Sequence, residues 1–97
     1  MIKGTTKTGF EFEIEEERVN NMEFIDALTD LDEASTNNAG EVMSLISKLI
    51  KCILSKEQKK ALYDHVRNEK GLVPIEKVQA ELLDIIKFDG NDELKNS

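Results

Sequence analysis

The chain is poor in the residues that most often carry chemistry. It contains one cysteine, one histidine, one tyrosine, one proline and no tryptophan in 97 residues. A single cysteine forms no internal disulfide, and with a single histidine it cannot supply the four protein ligands of a structural zinc site. No stretch approaches the roughly 18 apolar residues that a membrane-spanning helix requires. These shortages argue against a disulfide-stabilised secreted domain, a zinc domain and a membrane protein.

Acidic charge is what the chain has in excess. Twenty Asp and Glu residues against thirteen Lys and Arg give a net charge of −7 at pH 7. Nucleic-acid binders usually have the opposite balance, because they neutralise phosphates with clustered Lys and Arg. The first six residues lack the apolar stretch of a signal peptide. The sequence therefore predicts a cytoplasmic protein that binds neither nucleic acid nor a membrane.

The start of the chain is typical of a β-hairpin. Phe10, Phe12 and Ile14 alternate with glutamates, which places the three apolar side chains on one face of a strand. Gly9 suits a turn that requires a positive φ. We therefore expect a hairpin over about residues 2–14.

Helical periodicity follows the hairpin. Apolar residues recur every three or four positions, and Ser55, Pro74 and Gly90 are suited to helix starts and stops. The predicted helices cover about residues 16–33, 40–54, 56–69 and 74–88. The expected fold is a single α+β domain over residues 1–90, mostly helical, followed by a flexible polar tail at 91–97.

No catalytic motif is present. The sequence has no Gly-X-Ser-X-Gly, no glycine loop for phosphate and no helix motif with two histidines. Cys52 paired with His65 is the one nucleophile to consider, but Cys52 precedes Ile53 and Leu54, and free cysteines commonly behave as small buried hydrophobes. We therefore expect no enzyme, no catalytic residue, no cofactor and no metal ion.

Charge is unevenly distributed along the chain. Residues 11–33 hold ten acids and one base, a net charge of −9, whereas residues 48–70 hold seven bases and three acids, a net charge of +4. Such a distribution can orient the encounter with a partner or with another copy of the chain. The alternative is that these are ordinary solvated helix faces.

The protein is therefore expected to act by contact with a partner. The second predicted helix carries more apolar residues than one narrow face needs, and the hairpin has a strand edge that could pair with another strand. The expected partner-binding residues are Val42, Met43, Ile46, Leu49, Ile50, Ile53, Phe10 and Phe12. The alternative for each of them is burial in the core.

Four segments carry a resemblance to a known family. They are Gly9–Glu17 (GFEFEIEEE), Asn21–Leu28 (NMEFIDAL), Ser55–Arg67 (SKEQKKALYDHVR) and Gly71–Glu76 (GLVPIE). Together they resemble the small tail assembly chaperones of long-tailed bacteriophages and prophages of Gram-positive bacteria. The likeness covers roughly residues 9–88.

The resemblance implies an α+β or mostly helical domain that binds the tape measure protein. It implies that the domain keeps this long helical protein soluble in the host cytoplasm until tail tube subunits polymerise around it, and that it is absent from the mature virion. Many family members are also made in a longer, frameshifted form. The resemblance therefore adds that form and the tail tube protein as candidate partners, and self-association is expected. The family has no catalytic residues.

Two other functions remain as alternatives. An acidic regulator that mimics DNA would use Glu11, Glu13, Glu23, Asp30 and Glu33 in place of phosphates. A structural head or tail connector would instead stay in the virion.

Overall fold

The computed structural model describes the backbone of residues 1–34 and 38–96 and the side chains of these residues as far as 87. The elements in chain order are β1 (Ile2–Thr5), β2 (Glu11–Ile14), α1 (Glu16–Val19), α2 (Met22–Glu33), α3 (Ala39–Ile53), α4 (Lys56–Val66) and α5 (Ile75–Asn96). The predicted α+β fold, an N-terminal hairpin followed by helices in one small domain, is confirmed.

The hairpin forms as the sequence predicts. β1 and β2 are antiparallel, with Ile2 opposite Ile14. In the turn the Gly9 N–H donates to the Thr6 carbonyl at 3.0 Å, and Gly9 has a φ of +94°. Only glycine adopts such an angle at little cost, which explains its position. Phe12 and Ile14 are each 1% exposed, so the alternating apolar face lies on the helices.

The predicted single helix over 16–33 is wrong, because α1 and α2 are separate helices. Asn21 lies between them with an extended backbone, and its side-chain oxygen accepts a hydrogen bond from the Glu23 N–H at 3.0 Å. Asparagine is among the best residues for this N-cap position. The cap starts a new helix at Met22, and this local hydrogen bond competes successfully with continuation of the first.

α3 is the central helix of the domain. It begins and ends within one residue of the predicted 40–54. Ile46, Leu49, Ile50 and Ile53 are each at most 4% exposed, and the helix contacts α1, α2, α4 and α5. The gap between the predicted helices, from 33 to 40, falls partly on residues 35–37, which lie outside the described residues.

α4 is three residues shorter than predicted. It starts after Ser55, whose hydroxyl accepts from the Gln58 N–H at 3.2 Å, as the capping pattern predicts. It ends at Val66 because the Asn68 side chain accepts from the N–H groups of Lys70 and Leu72 at 2.9 and 3.0 Å. An asparagine bonded to the backbone beyond it forms a turn in place of helix.

α5 extends past its predicted end. The stop expected at Gly90 is wrong, since the helix continues to Asn96 and includes most of the predicted flexible tail. A glycine inside a helix costs only about 1 kcal/mol relative to alanine, so it does not by itself end one. Ser97 lies outside the described residues. Within the described part of the chain, no helix is both long enough and apolar enough to cross a membrane.

Two glycine substitutions should change stability in opposite directions. Gly9→Ala should lower the free energy of unfolding by about 1–2 kcal/mol, because alanine disfavours a positive φ. Gly40→Ala should raise it by about 0.5–1 kcal/mol, because Gly40 lies inside α3 and a Cβ there would meet only the Asn38 Oδ1 at 3.9 Å. Urea denaturation of both variants checks the prediction, which a shift of the same sign in both would contradict.

Candidate functional site

An apolar groove of about 640 Å³ opens between the hairpin, α1, α2 and α5. Its apolar lining consists of Ile2, Ile14, Val19, Phe24, Ile25, Leu28, Ile53, Ile85 and Ile86. Ile14, Ile53 and Ile85 are at most 1% exposed and form the floor, whereas Ile25 is 43% exposed and stands at the rim. We call this recess the α2–α5 groove.

The groove exists because two outer helices rest on the same central one. α2 and α5 both pack on α3, and β1 packs on α5. Residues of both outer helices line the space above Ile53 of α3, and that space is left open between them. The sequence places Leu28, Ile85 and Ile86 in the apolar periodicity of the predicted helices. It could not indicate that the stripes of the two helices would fail to meet.

The groove has an acidic edge. Its polar lining residues are Glu16 and Glu17, which begin α1, and Asn20, which follows its last residue. Glu16 accepts a hydrogen bond from the N-terminal amine at 2.9 Å, an exposed ion pair. Among the described residues Glu17 takes part in no ion pair, and its side chain is exposed. A ligand in the groove would therefore meet apolar side chains on the floor and negative charge at this edge.

A second, smaller cleft lies on another part of the surface. Its volume is about 200 Å³, and its lining includes Met43 of α3, Tyr63 of α4 and Ile75 of α5. Met43 and Ile75 are 42% and 56% exposed. Leu72, in the loop before α5, is also largely exposed. This cleft provides a second apolar surface against which the groove can be compared.

The structure places most of the predicted partner-binding residues in the core. Six of the eight are at most 5% exposed: Phe10, Phe12, Ile46, Leu49, Ile50 and Ile53. Val42 is half-buried, and Met43 alone is exposed. The assignment of the six buried residues to an open surface is therefore corrected. The helix is unusually apolar because it is central and is contacted by helices on several sides.

The hairpin edge is also less open than expected. The outward-pointing N–H of Glu13 in β2 donates to the side-chain oxygen of Gln58 at 3.2 Å. In a capping box, a glutamine at the position of Gln58 binds back to its own helix terminus. Its side chain instead joins α4 to the strand and occupies a donor that a pairing strand would need.

A polar cluster holds the hairpin turn against α5. Glu81 is 4% exposed, and its two carboxylate oxygens each accept a hydrogen bond at 2.8 Å, one from the Thr6 hydroxyl and one from the Thr8 hydroxyl. Asp84, one turn further along α5, accepts from the Lys7 N–H at 2.7 Å. The signal in the sequence is an acid beside apolar residues of helical spacing, Val78, Leu82 and Ile85, but its partners lie 73 and 75 residues away.

The hydrogen-bond directions in this cluster follow from counting protons. Each threonine hydroxyl has one proton, and both are donated to Glu81. The 2.9 Å contact between Thr8 Oγ1 and His65 Nε2 therefore requires the imidazole to be the donor. His65 also packs against Phe10, with ring centroids 5.5 Å apart. The single histidine thus supports the hairpin, a role that its polar sequence context did not indicate.

Parts of the acidic segment (residues 11–33) and of the basic segment (residues 48–70) lie close together in the structure. Lys48 and Lys51 of the basic segment line the same cleft as Glu15, Glu17 and Glu23 of the acidic segment. Charges of opposite sign therefore line one cleft within a single copy of the chain. This arrangement reduces the charge available for attracting a second copy.

Among the described residues, Cys52 and His65 are not brought together. Cys52 is half-buried beside Lys48, whereas His65 contacts Thr8 and Phe10, and no hydrogen bond joins the cysteine to the histidine among the described residues. No group of three or more His, Cys, Asp or Glu side chains within that part of the chain is placed to hold a metal ion.

Comparison with protein-family models, with curated proteins and with solved structures finds no match to this chain. The geometry described above is therefore what bears on its function.

The Glu81 cluster should contribute measurably to stability. Glu81→Ala removes the acceptor of two hydroxyl groups, and the Thr6 side chain, which is buried, loses this partner. Thr6 Oγ1 keeps the Phe10 N–H as a donor and Thr8 Oγ1 at 3.2 Å, so the main loss is that of two hydrogen bonds to a charged group. Such bonds contribute about 1.5–3 kcal/mol, and the free energy of unfolding should fall by about that amount. The control is Glu76→Ala on the exposed first turn of α5, expected to change it by less than about 0.5 kcal/mol. If urea denaturation shows that Glu81→Ala lowers the free energy of unfolding no more than Glu76→Ala does, the prediction is wrong.

Proposed function

We propose that this protein is a phage tail assembly chaperone that binds the tape measure protein and keeps it soluble while the tail tube assembles. The observation that carries the proposal is the α2–α5 groove, an apolar recess open to solvent on a strongly acidic domain. The four segments that resemble the family add to it. The protein is proposed to act in the cytoplasm of a bacterial host and to be absent from the mature virion.

The groove has the properties that a temporary holder of an aggregation-prone protein needs. Apolar side chains at its rim, such as Ile25, can cover apolar surface of the client. The net charge of −7 favours solubility of the complex. Met22 on the same helix is 67% exposed, and a flexible methionine adapts to more than one client segment.

Further partners follow from the same proposal. They are the tail tube protein, a longer frameshifted form of the chain and additional copies of the chain itself. The domain is proposed to act by contact alone, without catalysis or a cofactor.

A regulator that mimics DNA is the second candidate. The observation in its favour is the row of acids on α2, where Glu23, Asp26, Asp30, Asp32 and Glu33 are all exposed. An apolar groove has no part in such a mechanism. Salt-sensitive binding to a DNA-binding protein, without an effect on tape measure solubility, would favour this candidate over the chaperone.

Co-expression with the tape measure protein tests the proposal directly. The wild-type chain should raise the soluble fraction of the tape measure protein several-fold, and Ile25→Asp should abolish most of this effect by placing a charge at the rim of the groove. Ile75→Asp is the matched control, because it makes the same substitution at an exposed isoleucine in the second cleft. With the Ile75→Asp variant, the tape measure protein should stay soluble.

Both variants must first be folded, as judged by circular dichroism and thermal melting. A tape measure protein that precipitates equally with and without the wild-type chain would refute the proposal. If the tape measure protein loses solubility with Ile75→Asp but not with Ile25→Asp, it binds at the second cleft and not in the groove.

The composition of the virion separates a chaperone from a structural connector. Mass spectrometry of purified phage should detect the tape measure protein but not this chain. Its presence in fixed proportion to tail subunits would favour the connector.

A further inference from the structure

We infer that the α2–α5 groove binds an amphipathic helix whose apolar stripe is flanked by Lys and Arg. This inference deepens the proposed function and rests on it, because it specifies the kind of client segment that the groove accepts. It is argued from the shape of the groove, from the way its walls present side chains and from the charge at its edge.

The walls of the groove favour a helix over a strand. α2 contributes Phe24 and Leu28, which lie one turn apart on the same face, and α5 contributes Ile86 on the other side. Side chains on two flanking helices form ridges, and a third helix can pack its own side chains between them. A bound strand would need free backbone N–H and C=O groups. The hairpin contributes the side chains of Ile2 and Ile14 here, and the rest of the apolar lining comes from helices, so the groove offers mainly helical ridges to a ligand.

The acidic edge of the groove favours a ligand with basic residues beside its apolar stripe. Glu16 and Glu17 line the groove and belong to the segment from residue 11 to 33, whose net charge is −9; Lys48 and Lys51 offset part of this charge at a neighbouring cleft that Glu17 also lines. Basic residues beside the apolar stripe of a ligand would lie near these carboxylates, whereas acidic residues would be repelled. Attraction between exposed charges is screened by salt, so this part of the affinity should weaken as ionic strength rises.

The same charge argues against a second copy of this chain as the occupant. A second copy also has a net charge of −7 and would bring like charge to an acidic edge. The apolar stripes of α3 and α5 that would have to enter the groove already form the core, with Leu49, Leu82 and Ile85 all fully buried. A basic amphipathic helix of another protein meets neither obstacle.

Three synthetic peptides test the inference with the full-length protein. The first, of about 18 residues, has Leu at every third and fourth position and Lys on both flanks, and this length allows appreciable helix formation in water. The second replaces every Lys by Glu. The third has the composition of the first in scrambled order, without a stripe. Fluorescence anisotropy should give a Kd for the Lys-flanked peptide at least about tenfold lower than for either of the others.

Two pairs of variants locate the binding. Ile25→Asp should weaken binding of the Lys-flanked peptide at least about tenfold, although the new carboxylate attracts lysine. Ile75→Asp should leave the Kd of this peptide within about twofold of the wild-type value. Glu17→Lys should weaken binding about threefold or more at low salt and less at high salt. Glu69→Lys changes the net charge equally, from an exposed position in the loop after α4, and should have a smaller effect.

Several results would overturn the inference. One is a Kd for the Lys-flanked peptide equal to that for the Glu-flanked or the scrambled peptide. Another is a larger loss of binding with Ile75→Asp than with Ile25→Asp. A third is β-structure in the bound peptide, as measured by circular dichroism. If the peptides fail in this way while the wild-type chain still keeps the tape measure protein soluble, the groove assignment falls and the chaperone function stands. If the peptides bind as expected but the tape measure protein still precipitates, the chaperone function falls.

Discussion

Burial of α3 on several sides is the constraint on which the rest of the structure depends. Ile46, Leu49, Ile50 and Ile53 are almost completely removed from water. Each side chain of this kind contributes about 1.5–3 kcal/mol when fully buried, against a typical net stability of only about 5–15 kcal/mol. These side chains have little surface left to present to a partner, and of the four only Ile53 lines the α2–α5 groove, at its floor. Apolar surface for a partner is therefore left where the outer elements leave a gap, as at the α2–α5 groove.

The hairpin shows how a marginal element is held in place. Two short strands are barely stable alone in water, so their position depends on the helices. Phe12 and Ile14 supply the apolar part of this packing, while Thr6 and Thr8 bind the buried carboxylate of Glu81. Because α5 holds the hairpin at its turn, the other end, with Ile2 and Ile14, lies at the α2–α5 groove. The same packing thus determines one wall of the proposed binding site.

Local patterns predicted most of the elements and fewer of their boundaries. Alternation at Phe10, Phe12 and Ile14 and the position of Gly9 correctly predicted the hairpin, because strand periodicity and a positive φ are local properties. The errors at Asn21 and Asn68 have a common cause. In both places an asparagine side chain binds nearby backbone N–H groups and interrupts a helix that the apolar pattern would continue.

The candidate site was harder to predict than the fold. Hydrophobic periodicity indicates that a residue such as Ile25 or Ile46 belongs to an apolar face, and by itself the sequence determined the helices, the hairpin and the acidic charge of the surface. Only the tertiary structure decided that Ile46 is core and that Ile25 stands at the rim of an open groove. The physical reason is that burial depends on which other element lies opposite a face. That is a contact between residues far apart in the chain, which no local pattern encodes.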